Sequence, residues 1–320
     1  MTIRVEAHGR VNLIGDHTDY TGGLVLPMLL DCRTVIVGQS TDDPHWDLTS
    51  DDVPEPARID LPVRDAAAAS PGWARYPAGV LAVLAQHGHS PRGFRGRVST
   101  SIPIGGGLSS SAALEVAVAR VALGEHEVDP TVIARWCREA EHLASGVPCG
   151  IMDQLCIAAG RPGEALLIDC RSLATTAVAL PPEIEVDVRF VAPRTLAGSE
   201  YAERVADCAA IEEIIGPLRD ADEASIEELS DDRLRRRARH VISENRRVLD
   251  FVDALERGDV ESAGRLMTDS HHSLADDYET SNPAMDGAVR DLLAEPDVLG
   301  ARMTGGGFGG CVVALRRRDS

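Results

Sequence analysis

The stretch Pro103-Ile104-Gly105-Gly106-Gly107-Leu108-Ser109-Ser110-Ser111-Ala112-Ala113-Leu114 sets three glycines and three hydroxyls between two patterned runs. The run before it, Phe94 to Ile102, reads as a strand, and the positions Ala113, Val116, Ala117 and Arg120 after it read as a helix. Glycines at such a turn let backbone N–H groups close on a polyphosphate, and the helix dipole favours its charge. Ser109 to Ser111 can add hydrogen bonds or coordinate Mg²⁺. A flexible Gly/Ser turn has the same composition, but the strand before and the helix after are the context that phosphate loops require.

Two other clusters carry chemistry. Gly9-Arg10-Val11-Asn12-Leu13-Ile14-Gly15-Asp16-His17-Thr18-Asp19-Tyr20 gathers an arginine, an asparagine, two carboxylates and a histidine around two glycines. Asp16 and Asp19 can each accept from two hydroxyls, His17 can donate or accept, and Arg10 supplies fixed charge, a set that suits a polyol. An Asx-rich turn ahead of the apolar strand Leu24-Val25-Leu26-Pro27 would use the same residues. Metal binding is the weaker alternative, because one histidine between aspartates has no second nitrogen or sulfur ligand. In Gly146-Val147-Pro148-Cys149-Gly150-Ile151-Met152-Asp153-Gln154-Leu155 a single carboxylate sits in small and apolar company near a helix start. Asp153 is there either as a positioned base or as the cap of a helix running to Ala159.

Composition limits the phosphate chemistry. All 32 basic residues of the chain are arginine. A Walker-type loop, a protein-kinase strand lysine and a Schiff-base amine are therefore excluded, and phosphate charge must be met by backbone N–H, helix dipole, metal and arginine. At 320 residues and 44% apolar the chain is expected to form two domains. Its net charge of −19 argues against nucleic-acid and anionic-membrane partners. No apolar run reaches the ~18 residues of a membrane helix, and Met1 to Gly9 lacks a basic start and an apolar stretch, so a cytoplasmic protein is expected. Seven cysteines without a C-x-x-C pair read as reduced thiols.

The elements that must position these clusters follow from pattern. Ile3 to Ala7 alternates like a short strand, and Asp42 to Ala69 is polar and Pro/Ala-rich, read as exposed strands and loops. Pro71 to Tyr76 opens a helix to about Gln86 with Val80, Leu81 and Leu84 on one face. Trp73 at that helix start is by position a core aromatic as readily as a cofactor contact. Asp129-Pro130 caps a helix from Thr131 to Ala144 that Gly146 closes, and Glu141 on it has no role that spacing alone assigns. Further on, Ala165 to Asp169 and Glu185 to Val191 read as strands, and Ser199 as the cap of a helix carrying Tyr201 and Arg204. The acidic passage Asp220 to Asp232 and the Arg-rich helix Leu234 to Glu256 read as surface. His271 and His272 are adjacent, so on a helix they diverge and cannot share a metal. Thr304-Gly305-Gly306-Gly307-Phe308-Gly309-Gly310 lies between strand-like runs, Leu299 to Met303 and Cys311 to Leu315.

These motifs together resemble the galactokinases of the GHMP sugar and metabolite kinase family. GRVNLIGDHTDY is similar to the galactokinase signature, PIGGGLSSSAALEVA to the family's phosphate loop and RMTGGGFGGCVVAL to its third motif, in family order and over nearly the whole chain. The resemblance implies an α+β fold in two domains, residues 1–165 and 166–320. The first would be α/β and similar to ribosomal protein S5, the second ferredoxin-like, with the active site in a cleft between them. It also implies in-line transfer of the γ-phosphoryl group of Mg·ATP to the anomeric hydroxyl of a hexose, α-D-galactose foremost, by a monomer.

By the same resemblance Asp153 faces the reacting hydroxyl, with Arg10 beside it to offset charge on the transferring group. Asp16, His17, Asp19, Gly150 and Tyr201 would line the sugar pocket. Gly105, Gly106, Gly107, Leu108, Ser109, Ser110 and Ser111 would cradle the phosphates, Trp73 would lie against the adenine, and Ser109 and Glu141 would meet Mg²⁺. The chain departs from the family in three places. Asp16 replaces the usual glutamate and shortens its reach by one methylene, Val191 to Thr195 replaces a polar run, and the chain starts later and stops sooner than the family's usual length. Sugar identity is what these changes touch. A related kinase for another sugar, and a non-catalytic sugar sensor, are the alternatives, though a sensor is expected to have a damaged phosphate loop and GLSSSAAL is whole.

Overall fold

The computed structural model describes residues 2–193 and 199–318. The cap expected from the Ser199 side chain, and residues 194–195 of the altered segment, lie outside the described residues. The strands are β1 (Ile3–Asn12), β2 (Leu24–Val25), β3 (Pro27–Thr41), β4 (His45–Ser50), β5 (Ala57–Asp60), β6 (Gly93–Thr100), β7 (Glu164–Asp169), β8 (Thr175–Ala179), β9 (Ile184–Ala192), β10 (Val298–Thr304) and β11 (Gly310–Arg317). The helices are α1 (Arg75–Gln86), α2 (Ser110–Leu123), α3 (Pro130–Ser145), α4 (Met152–Ala159), α5 (Ser199–Ile215), α6 (Asp232–Glu256), α7 (Val260–Asp276) and α8 (Pro283–Leu293). No helix among the described residues is long and apolar enough to cross a membrane, and the seven cysteines, all among the described residues, form no disulfide.

One compact unit comprises Met1–Arg10, Leu30–Pro103 and Ser109–Ala159. Here β6 lies between β3, antiparallel with Ile36 opposite Val98, and β4, parallel with Trp46 opposite Phe94; β5 pairs with β4, and β1 with β3. The polar passage expected to be exposed contributes to the core: Trp46 and Leu48 are buried, and the Trp46 ring lies tilted against Phe94 with centroids 4.8 Å apart. Period-2 alternation hid beneath its prolines and aspartates. Helices α1 to α4 pack on one another around α2, whose Ala112, Ala113, Val116, Ala117, Val118 and Ala119 are all buried. A helix apolar on every side belongs in the interior, and its small side chains let neighbours close in. Gly79 does the same for α1, since a Cβ there would stand 2.7 Å from the Ala140 carbonyl oxygen of α3.

The other unit comprises Val11–Leu29, Ile104–Leu108 and Gly160–Ser320. Its three-stranded antiparallel sheet runs β10-β11-β9, with Val313 between Arg302 and Val188. A second set of strands places β7 between β2 and β8. Helix α7 lies so close on β10 that a Cβ at Gly300 would fall 1.9 Å from the Gly264 carbonyl oxygen. The core gathers Ile211, Val241, Leu274, Tyr278, Met285 and Val312. The Arg-rich helix α6 is only partly surface. Arg237 is fully buried, donating to the Asp277 carbonyl and Glu279 and lying over the Tyr278 ring at 5.7 Å.

Two further charged or titratable groups on α6 are buried. Glu244 accepts from the Gly15 N–H at 2.9 Å, Ser270 at 2.6 Å and Arg247 at 2.7 Å. Burial alone would raise its pKa, but the Arg247 guanidinium, His240, Arg302 and the Ser270 hydrogen bond together outweigh it and hold the carboxyl at about 2. His240 contacts Ser273 Oγ at 2.9 Å and the Asp16 carbonyl at 3.1 Å, and burial pushes it down to about 4 from the usual 6.5. Between pH 6.5 and 4 the unfolded chain therefore binds a proton that folded His240 does not, so stability is lost as pH falls through that window. The effect is roughly 3 kcal/mol for this one group. Thermal midpoints of wild type and His240→Gln between pH 7 and 4 should show a markedly shallower acid slope in the variant. Parallel slopes would remove His240 from the acid sensitivity.

Candidate functional site

In the first unit the carboxylate of Asp153 is gripped from two sides. Arg10, from β1 and 3% exposed, brings Nε to 2.8 Å and Nη2 to 2.7 Å from Oδ1, and the Ser109 hydroxyl donates to Oδ2. Asp153 is the second residue inside α4, so it is not that helix's cap. Its side chain is 30% exposed and open to a reacting group. Ser109 is the N-cap of α2 at φ 62° and ψ 47°, and its hydroxyl makes no capping bond. A left-handed non-glycine residue costs on the order of 1 kcal/mol, and the hydroxyl it turns away from the helix end is the one that reaches Asp153.

The glycine loop ahead of it takes positive φ at Gly105 (75°) and Gly107 (77°), which side chains would resist. Gly106 and Leu108 are buried, Ile104 is exposed, and Ser110 begins α2. Trp73 is half-buried, its indole N–H donating to the Glu55 carbonyl at 3.1 Å. Gly150 is buried just before α4.

Beside Asp153 lies a pair of which the sequence analysis named only Glu141. Glu115 is fully buried on α2 and meets Glu141 of α3, while Gln154 donates to Glu115 Oε2 at 3.1 Å. Burial, then the neighbouring Glu141 charge, push Glu115 well above the usual carboxyl range; burial also raises Glu141, against hydrogen bonds from Glu115 and Ser111. Two buried carboxyls in contact must share a proton or a cation. Oxygen donors alone suit Mg²⁺, which takes one or two carboxylates and leaves other positions to phosphates. Among the described residues no group of three or more His, Cys, Asp or Glu stands ready for a metal, so an ion here would rest on this pair and the loop hydroxyls. The three serines split: Ser109 turns to Asp153, and Ser111 reaches Glu141. A signal for Glu115 was present, as the single charge in the run Ala112 to Ala119.

In the second unit the Asn12-to-Tyr20 segment is buried from Asn12 to Thr18. Asp16 Oδ2 accepts from Arg302, and Oδ1 accepts from the Asn12 amide at 3.0 Å and the Gly305 N–H at 3.2 Å. The Thr304 hydroxyl donates to the Asn12 carbonyl at 2.9 Å, so the first motif is stitched to the glycines of the third. Arg302 is fully buried and also donates to the Leu13 carbonyl. Nothing local marks it, since its partners lie 286 and 289 residues away. His17 has φ 66°, and its ring lies 5.6 Å from Tyr201 and 4.8 Å from Tyr278. Asp19 begins a one-turn 3₁₀ helix, half-buried. His271 is buried, its Nδ1 accepting from the Met303 N–H at 3.3 Å.

Residues 2–40 match the galactokinase galactose-binding signature, 75–161 the GHMP kinase N-terminal domain and 251–320 the GHMP kinase C-terminal domain. Galactokinase of Canis lupus familiaris is 46% identical, over 98% of this chain and 83% of that protein. Galactokinase of Roseiflexus sp. (strain RS-1) is 42% identical, over 99% and 84%. The crystal structure of Lactococcus lactis galactokinase complexed with galactose superimposes with a TM-score of 0.93 at 31% identity, over 99% of this chain and 86% of that one. Methanococcus jannaschii mevalonate kinase, with a TM-score of 0.71 and 22% identity, shares the fold.

Removing the charge of Asp16 would leave Arg302 buried without its carboxylate. Breaking a buried pair from one side costs ~3–5 kcal/mol. Asp16→Asn should therefore lower the thermal midpoint substantially in the absence of any sugar. A midpoint equal to wild type would show that the Arg302 pair contributes nothing to the fold and that Asp16 matters only to a ligand.

Proposed function

The chain belongs to the galactokinase family of the GHMP kinases, and from that membership we propose that it transfers the γ-phosphoryl group of ATP to the anomeric hydroxyl of α-D-galactose, yielding galactose 1-phosphate. The observation that carries this reading is the Arg10–Asp153–Ser109 set, an exposed-edge carboxylate fixed between a buried guanidinium and a hydroxyl at the mouth of a helix that follows a glycine loop. Phosphoryl transfer asks the protein for positioning and charge more than covalent chemistry. Asp153 accepts or orients the proton of the attacking hydroxyl. Arg10 holds that carboxylate in place and offsets negative charge on the transferring group.

Gly105 to Ser111 receive the phosphates through backbone N–H groups and hydroxyls, and Trp73 lies against the adenine. Glu141, with the hydroxyls of Ser109 and Ser111, would hold Mg²⁺, which when bound neutralises phosphate charge. His17, Asp19, Gly150 and Tyr201 contact the sugar, and Asp16 shapes the pocket through its hold on Asn12 and Gly305. The protein works as a cytoplasmic monomer on two small molecules. Asp16 in place of the family's glutamate is the specific reason to keep a second reading, a kinase of the same type that prefers another sugar.

A panel of hexoses and pentoses, each with ATP and Mg²⁺, decides between them. Galactose should give the highest kcat/KM and a sugar 1-phosphate. A clear preference for another sugar would transfer the assignment to the second reading, and galactose binding without transfer from any nucleotide would make the protein a sensor.

A further inference from the structure

Behind His17 stands a file of hydrogen-bonding groups that the proposed chemistry does not use. His17 Nδ1 lies 3.0 Å from the Tyr20 hydroxyl, which lies 2.6 Å from the Tyr278 hydroxyl, which lies 3.2 Å from Cys208 Sγ. Tyr278 is fully buried and Cys208 nearly so. The Tyr278 ring is packed between His240, at 4.5 Å, and the Arg237 guanidinium. Burial pushes both phenols well above their usual 10 and the Cys208 thiol up to about 12, so each carries its proton at neutral pH.

With a neutral imidazole the protons along this file can run in either of two directions. In one, the thiol donates to Tyr278, Tyr278 to Tyr20, and Tyr20 to Nδ1, leaving the imidazole proton on Nε2. In the other every bond reverses and the file ends on sulfur. The first direction gives the phenol its best acceptor, an imidazole nitrogen; the second spends a phenol proton on sulfur, a weak acceptor. The His17 backbone, left-handed at φ 66°, is fixed as well.

We infer that Tyr20 and Tyr278 are positioning residues that lock His17 in the Nε2–H tautomer, making it a hydrogen-bond donor to one hydroxyl oxygen of the sugar. This rests on the reading that His17 contacts the sugar. Specificity then depends on two phenols that themselves need not touch the ligand. A donor presented in one tautomer discriminates between sugars by where an oxygen stands, because leaving a buried donor unmatched is costly.

The test compares wild type, Tyr20→Phe and Tyr278→Phe on galactose and its 2-, 3-, 4- and 6-deoxy analogues. For galactose, KM should rise roughly 3–10-fold, the size of one lost hydrogen bond, with kcat changing far less. The penalty should vanish for the single analogue that lacks the hydroxyl His17 meets. An equal penalty on every analogue, or a loss confined to kcat, would overturn the inference. If the variants fail to fold, the ¹⁵N spectrum of histidine-labelled wild type, with His17 assigned through His17→Gln, gives the answer without sugar. A protonated Nε2 and unprotonated Nδ1 are expected, and the opposite tautomer overturns the relay. Absence of galactose turnover by wild type would overturn the underlying function, while the nitrogen spectrum would still decide the relay.

Discussion

A guanidinium that is 3% exposed has to be met by an anion, and Arg10 meets Asp153. Burying a charge without a partner costs several kcal/mol, so wherever β1 places Arg10, a carboxylate must be brought to it. Helix α4 brings Asp153, and Ser109, the residue at the N-cap of α2, adds its hydroxyl on the other oxygen. Three separate segments of the first unit are thereby fixed at one carboxylate. In a chain without lysine only arginine and histidine could supply this positive charge, and arginine adds a planar fork that holds direction as well as charge.

Around that pairing the fold spends small residues. Helix α2 is lined with alanine and valine so that α1, α3 and α4 can close on it. The one charge it buries, Glu115, faces Glu141 and Gln154 next to Asp153. A carboxyl pair in such a setting would be a defect in an ordinary core, and the proposed function gives it a use as oxygen donors toward a divalent ion. The second unit follows the same logic with Asp16 and Arg302, a buried pair whose further hydrogen bonds tie the Asn12-to-Tyr20 segment to a glycine-rich turn.

Most of the framework was legible in the sequence because its signals are local. The Asp129 cap and first-turn Pro130 mark α3, and the Asp129 side chain does accept from Thr131 N–H. The alternation of residues 185–191 and the glycine-bounded runs around 305–310 mark β9, β10 and β11. What was not legible is long-range. Arg302 and Arg237 read as ordinary strand and helix arginines until partners far along the chain bury them. Nothing in the local sequence around Asp16 showed that its oxygens are engaged by Arg302, Asn12 and Gly305. Ser109 and Ser111 read as one hydroxyl run, and the left-handed turn at Ser109 sends them to different carboxyls.

The account stands or falls on Asp153 acting in the chemistry as well as pairing with Arg10. The direct measurement is kcat together with the thermal midpoint for Asp153→Asn, in which the amide keeps the shape and its one oxygen can still accept from Arg10 while its NH2 turns to the Ser109 hydroxyl as a donor. In the folded variant turnover should fall by roughly 10²–10⁴, as for a lost proton acceptor, with sugar still bound, and the midpoint should fall by the separate cost of leaving the buried Arg10 without its carboxylate. A folded variant with near-normal kcat would contradict the assignment.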